Sequence, residues 1–237
     1  MRSWIMGSFS VIIPTRNRPA FMAEAVASVL AQNYSEFELL VVNDGDDEIA
    51  EFKDKRVRVL NNESRGAVQA RNLAISQATG DCIAFLDDDD FFIDADHLTR
   101  ANAVLSGFAE FYFANGIMHF PDGSTKLFSR KANKQSLMID NTILISTVCY
   151  HRSLHKQLGL FDEDLPYYWD WDWYLRVVKA DFRIEHTNQP AAAIRVHPQN
   201  MSGNSNLVDR QANLDLLVTK HNMGGIQLKN HLDFVRS

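Results

Sequence analysis

Four consecutive aspartates, Asp87 to Asp90, stand directly behind the apolar run Cys82 to Leu86. Neighbouring carboxylates repel one another, so such a run is costly unless it is solvated or faces a cation. Alternate residues of an extended segment point the same way, so two of these carboxylates can offer oxygens to one hard divalent ion. Mg²⁺ or Mn²⁺ suits a site of few carboxylates completed by substrate phosphates. An acidic run in isolation reads as a solvated turn or as the lead into a helix near Asp94. A position at the end of a buried strand turns the reading toward chemistry. Two more polar clusters follow apolar runs: Pro14-Thr15-Arg16-Asn17 and Asn43-Asp44-Gly45-Asp46. Asp44 can accept a hydrogen bond from a pyrimidine N–H, or it is a turn residue ahead of Gly45. Arg71 offers a guanidinium to a phosphate or a base, or it pairs with a nearby acid.

A second constellation is aromatic: Tyr167-Tyr-Trp-Asp-Trp-Asp-Trp-Tyr174. One reading makes Asp170 the cap of a helix whose tryptophans fill the core. The other makes Asp170 a general base on the wall of an acceptor pocket, with Trp169, Trp171 and Asp172 beside it. His197, in Arg195-Val-His-Pro198, is either structural or a contact for metal or phosphate.

The elements that must position these residues are legible in outline. Ser10–Ile13, Phe37–Val42, Arg56–Leu60 and Cys82–Leu86 read as strands. Ala20–Gln32 and Gly66–Ala78 carry apolar residues at helical spacing. This alternation implies a mostly parallel sheet with helices on both faces, whose ligands bind at the carboxyl ends of the strands. All three polar clusters fall at such ends. The second half differs. Phe108–Phe113, Gly116–Phe120 and Lys126–Phe128 read as strands around a hairpin turn at Pro121-Asp-Gly123. Ile143–Tyr150 is another apolar run, Asp170–Ala180 an amphipathic helix, and Ala191–Val196 a last strand. Asp209–His221 reads as a helix of unreadable role.

The chain has 237 residues, 46% of them hydrophobic, with a net charge of −6. One large domain can therefore bury a core without staples, and a non-specific nucleic-acid binder is disfavoured. Its two cysteines, Cys82 and Cys149, sit in apolar runs and read as buried free thiols. No apolar stretch is long enough to span a bilayer, and Met1 to Ser8 has no long apolar core. The expectation is a cytoplasmic enzyme that reaches any lipid-linked acceptor from the cytoplasmic face of a membrane.

Four stretches in this order resemble glycosyltransferase family 2, the inverting transferases of GT-A fold. They are Ser10–Pro19, Phe37–Asp46, Arg65–Asp90 and Gly159–Arg176. The resemblance covers about residues 8 to 202. It implies an α/β GT-A domain over 8–202, with a nucleotide-sugar half (8–106), a smaller mixed acceptor half (107–202) and a helical tail (203–237). It implies that Pro14, Thr15, Arg16, Asn17, Asp44 and Arg71 hold the nucleotide, with Asp44 on the base. Asp87 and Asp88 would lie near ribose and phosphate. Asp89 would bind Mn²⁺ or Mg²⁺, with His197 near metal or diphosphate, and Asp170 would be the catalytic base. The partners implied are a nucleotide-sugar, by default of uridine diphosphate, and a saccharide or lipid-linked saccharide. Peripheral membrane contact and a homo-oligomer are compatible with it. Trp169 departs from the family pattern, standing where an acidic residue usually precedes the base. The Q-x-x-R-W motif of processive synthases is absent, which favours single addition. Three rivals remain: a sugar nucleotidyltransferase, which would carry a glycine-rich loop after the first strand, a phosphatase with an aspartyl nucleophile, whose aspartates would usually follow its first strand, and a non-catalytic nucleotide-sugar-binding module.

Overall fold

The structure, a computed structural model, describes residues 7–197, 200 and 207–229. The first half alternates strand and helix: β1 (Phe9–Thr15), α1 (Pro19–Leu30), β2 (Phe37–Asn43), β3 (Val57–Asn61), α2 (Ala67–Gln77) and β4 (Cys82–Phe85). The strands β3, β2, β1 and β4 lie side by side in that order, all parallel. Their side chains alternate between two cores. Ile12, Leu40, Val42 and Phe85 face α2, whereas Val11, Ile13, Leu39 and Ala84 face α1. β1, β2 and β4 are buried on both faces, which is why each reads as a nearly continuous apolar run, whereas the edge strand β3 is half exposed. Pro19 opens α1, where a missing N–H costs nothing.

The second half comprises β5 (Phe91–Phe92), α3 (His97–Leu105), β6 (Phe111–His119), β7 (Thr125–Phe128), α4 (Lys134–Leu137), β8 (Val148–His151), α5 (Leu154–Leu158), α6 (Trp169–Lys179), β9 (Ile184–Arg195) and α7 (Leu207–His221). It extends the same sheet beyond β4 in the order β8, β6, β9, β5, with β7 paired to β6. Among the described residues the sheet has nine strands, and this second part mixes parallel and antiparallel pairs.

Several boundaries differ from the sequence reading. The two strands expected at 108–113 and 116–120 are one, β6, which passes through Gly116. The register against β9 shifts there, and a Cβ on Gly116 would come within 2.6 Å of a Leu144 methyl. The apolar run 143–150 divides into a 3-10 turn, Ile145–Thr147, and β8. β9 starts at Ile184 instead of Ala191; its first residues are polar and half exposed, which hides a strand from pattern reading. Cys82 and Cys149 are buried free thiols, as expected.

The expected tail partly lies outside the described residues, at 201–206 and 230–237. Within them, α7 is no appendage. Leu214, Leu217 and Met223 pack into the same core as the tryptophans of α6. A buried ionic knot joins the two helices: Asp172 pairs with Arg176 (2.8 Å), Lys220 (2.7 Å) and His221 (2.7 Å). Among the described residues no helix is long and apolar enough to cross a membrane.

Leu217→Ala should therefore lower unfolding free energy by ~2–4 kcal/mol, as truncation of a fully buried leucine does. Denaturant titration checks this; a loss below ~0.5 kcal/mol, the surface range, would mean that α7 is peripheral to the core.

Candidate active site

Because β1, β2 and β4 are parallel, the loops that leave them meet at one edge of the sheet. The backbone N–H of Asp44, after β2, donates to the carbonyl of Thr15 at the end of β1 (2.8 Å). The first loop is then locked by Asn17. Its left-handed backbone (φ 54°) turns the side-chain oxygen to accept from the N–H of Asp46 (3.0 Å). Gly45 makes this possible, because a Cβ there would stand 2.1 Å from that oxygen. Asn17 is thus a latch between loops and does not line the cleft, contrary to its expected nucleotide contact.

The buried carboxylate of Asp44 accepts from Asn62 Nδ2 (2.6 Å) and from the N–H of Gly66 (2.7 Å), the residue that caps α2. Gly66 holds φ 131°, a conformation that side chains avoid. Asp44 therefore binds the β2 loop to the start of α2 while still facing the cleft. Further along α2, Arg71 ion-pairs with Asp87, donates to the carbonyl of Ala67 (2.9 Å), and lays its guanidinium 4.4 Å from the centre of the Trp169 ring.

The acidic run does not continue as an extended segment. It forms a tight turn in which the N–H of Asp90 donates to the carbonyl of Asp87 (3.0 Å). Alternation therefore fails, and the group that converges is Asp87, Asp89 and Asp90, whose ligand oxygens lie within 4.8 Å of one another. Asp88 turns aside to accept from Thr15 Oγ1 (2.7 Å) and Arg18 (3.2 Å). Asp89 takes Arg18 (2.9 Å) and His197 Nε2 (2.9 Å). Asp90 accepts from Ser146 Oγ (2.6 Å) and from the N–H of Arg195 (3.0 Å). Burial raises the pKa of Asp87 despite Arg71, and that of Asp88 despite the Thr15 bond; it raises Asp90 well above the usual range. Converging, desolvated carboxylates that resist ionisation suit a divalent cation of all-oxygen preference.

On the opposite wall, α6 begins at Trp169, so Asp170 sits in its first turn and is not the cap residue. Its carboxylate accepts from Asn141 Nδ2 (2.9 Å) and the N–H of Trp171 (2.7 Å). Burial pushes its pKa up to about 6, against the pull of those two bonds. Trp171 is fixed by a bond from its indole N–H to the carbonyl of Leu137 (2.7 Å).

The cleft between these walls has a volume of about 560 Å³. Pro14, Thr15, Arg16, Asp44 and Arg71 line it on the side of the parallel strands. Asp87, Asp88 and Asp89 form its floor, and Trp169, Asp170 and Trp171 its far side. Asp172 is absent from it. Two residues along a helix is ~200° around the axis, so Asp172 points into the knot with α7 and is fully buried. Burial raises its pKa, but His221, Lys220 and Arg176 more than offset that and hold it low, as for a structural anion. His197 touches Asp89 and stacks on Phe21 (5.9 Å) but does not line the cleft. Sequence reading gave no role to Asp90, Arg18, Asn141 or Ser146. The acidic run flagged Asp90; the other three carried no signal.

Residues 10–101 match the family model described as Glycosyl transferase family 2. The uncharacterised glycosyltransferase YwdF of Bacillus subtilis is 32% identical over 241 aligned positions, which cover 93% of this chain and 87% of YwdF. The chain belongs to glycosyltransferase family 2. This family 2 chain is also 27% identical to WfaP of Escherichia coli, over 82% of its length and 80% of WfaP's. WfaP is named as a UDP-Glc:α-D-GlcNAc-diphosphoundecaprenol β-1,3-glucosyltransferase. Among solved structures, S. aureus TarS 1-349 in complex with UDP-GlcNAc superposes with a TM-score of 0.73 at 21% identity, over 92% of this chain and 68% of TarS. The fold is GT-A, as the resemblance implied.

The raised pKa of Asp170 has a sign that can be checked. An unfolded aspartate titrates near ~3.9, so the folded state holds its proton to higher pH, and stability falls as pH rises from about 4 to about 6. Asp170→Asn should therefore gain stability relative to the parent across that window, by up to roughly 3 kcal/mol at pH 7, and show no gain at pH 3.5. Urea titrations at both pH values check this; a gain of equal size at both would place the cause elsewhere.

Proposed function

We propose that this transferase moves a sugar from a uridine-diphosphate sugar to a hydroxyl of a lipid-linked saccharide, with inversion and one addition per encounter. The observation that carries the reading is the cleft itself: a buried carboxylate with a pKa of about 6 faces an acidic cluster across one cavity. A base poised near neutral pH is what proton removal from a hydroxyl needs. The names of WfaP and of the TarS complex support the choice of donor and acceptor class.

In this reading Asp44 meets the base, while Arg18 and Arg71 hold phosphate oxygens. Mn²⁺ or Mg²⁺, held by Asp87, Asp89 and Asp90, would neutralise charge on the departing diphosphate. Asp170 takes the proton of the acceptor hydroxyl as that oxygen bonds to the anomeric carbon. The bond from that carbon to the diphosphate breaks, so the configuration inverts and no covalent enzyme intermediate forms. Trp169 and Trp171 offer flat apolar faces to the acceptor sugar. We assign the reaction to the cytoplasmic side of a membrane, where nucleotide-sugars and lipid-linked acceptors meet.

Two variants separate the parts. Asp170→Asn should retain affinity for uridine diphosphate and lose ~10²–10⁴-fold in transfer rate; the parent rate should fall as pH drops below about 6. Near-normal transfer by a folded Asp170→Asn protein would exclude it as the base. Asp89→Ala should abolish the Mn²⁺-dependent part of uridine diphosphate affinity in calorimetric titration. An unchanged metal effect would remove Asp89 from the cation site. Failure of a panel of nucleotide-sugars with Mn²⁺ to give any hydrolysis or transfer would favour the non-catalytic module.

A further inference from the structure

The tail contributes to the cleft in a way that the mechanism above does not use. Arg210, on the first turns of α7, is only 2% exposed yet lines the cavity, as does Lys229 beyond the helix. Burying a guanidinium is expensive, so its surroundings must return that cost. Arg210 donates to the carbonyl of Lys229 (2.8 Å), which holds the segment after α7 against the helix. Its guanidinium also lies beside the Tyr168 hydroxyl, one residue before α6, and Asp170 lies near that same hydroxyl. The Lys229 ammonium pairs with Asp140 (2.7 Å), the neighbour of the Asn141 that holds Asp170. Two cations from the tail thus stand on the wall of the base. Arg18 and Arg71, by contrast, bind the acidic run.

The surroundings of this pair are apolar and open. Ile139 precedes Asp140, and Leu207 stands one turn before Arg210 on the same helix face. Both are exposed, and Val208 is 84% exposed. A cationic pair beside a base, with exposed aliphatic side chains next to it, matches a ligand that is anionic at one point and greasy beyond it.

We infer that Arg210 and Lys229 form an acceptor-side subsite for the phosphate or diphosphate through which the acceptor sugar is joined to its lipid. The inference rests on the transferase reading and adds to it the residues that select the acceptor. In this arrangement the anion bridges the two cations, the sugar lies across Trp169 and Trp171 with a hydroxyl at Asp170, and the alkyl chain leaves past Ile139 and Leu207. Lys229 exchanges Asp140 for the incoming phosphate. Asn213 keeps the subsite in place: it accepts from the N–H of Tyr167 (3.0 Å) and donates to the carbonyl of Asp164 (3.1 Å), pinning α7 to the loop that leads into α6.

The test is a binding measurement on the full chain saturated with uridine diphosphate, so that the donor site is filled. Two probes are titrated calorimetrically: octyl-diphosphate-linked α-N-acetylglucosamine, and octyl α-N-acetylglucosaminide without the diphosphate. The diphosphate probe should bind at least ~10-fold more tightly, since hydrogen bonds to charged groups are the stronger class. Lys229→Glu and Arg210→Gln should each remove most of that preference while affinity for uridine diphosphate stays unchanged. Should Arg210→Gln fail to fold, Lys229→Glu carries the test, because that side chain is 37% exposed. Equal affinity for the two probes, absence of binding by the diphosphate probe, or a preference that survives Lys229→Glu would overturn the inference. Loss of uridine diphosphate binding by the parent itself would instead strike the transferase reading.

Discussion

Four carboxylates in one tight turn at the end of a buried strand are the constraint around which this molecule is organised. Left alone, Asp87 to Asp90 would repel one another in a site with little water. Partners come to them from several parts of the chain: Thr15 and Arg18 at and just after the end of β1, Arg71 from α2, Ser146 before β8, and Arg195 and His197 at and just after the end of β9. The acidic turn is therefore also an assembly point. It draws loops from both halves of the sheet to one place, and those loops are the walls of the cleft. Burial outweighs these partners and holds the pKa values of Asp87, Asp88 and Asp90 above the usual carboxylate range. Desolvated carboxylates brought together in one turn are a donor set that suits a hard cation.

The first turn of α6 shows how closely a cleft residue and a supporting one can sit in sequence. Asp170 and Asp172 are the same residue type, two positions apart, in one aromatic segment. One faces the cleft, held above its usual pKa by burial; the other faces α7, held below it by the His221 hydrogen bond and by Lys220 and Arg176. Helix geometry alone separates them. The tryptophans that follow each of them divide likewise: Trp171 lines the cavity, whereas Trp173 is fully buried against Tyr150 and His155.

Legibility in the sequence followed this physics. β1, β2 and β4 were readable because strands buried on both faces are nearly unbroken apolar runs, β3 showed its apolar Val57, Val59 and Leu60, and the loops behind β1, β2 and β4 announced one wall of the cleft. β9 was cut short because its first half is polar, and β6 was cut in two at a glycine that only packing against Leu144 explains. At the site, consecutive motifs pointed correctly to Asp44, Arg71, Asp89 and Asp170 as residues of one cleft. Asn17 and Asp172 were misplaced because backbone φ and helix rotation, neither visible in residue type, decide where they point. Arg210 and Lys229 had no local signal at all, since their place on the cleft wall depends on where α7 docks.

The order of strands in the sheet also has a consequence for the nascent chain. β1 to β4 are complete once residue 85 has been made, yet the outer edge of β4 finds its partner only at Val148–His151. The face formed by Ile12, Leu40 and Phe85 has α2 over it, but the rest of its cover waits for α6 and α7. An unpaired strand edge beside a half-covered apolar face is a template for pairing with the wrong chain. The half of the molecule that looks most like an independent unit on paper thus leaves the ribosome as an open, adhesive sheet, which α6 and α7 must finish covering.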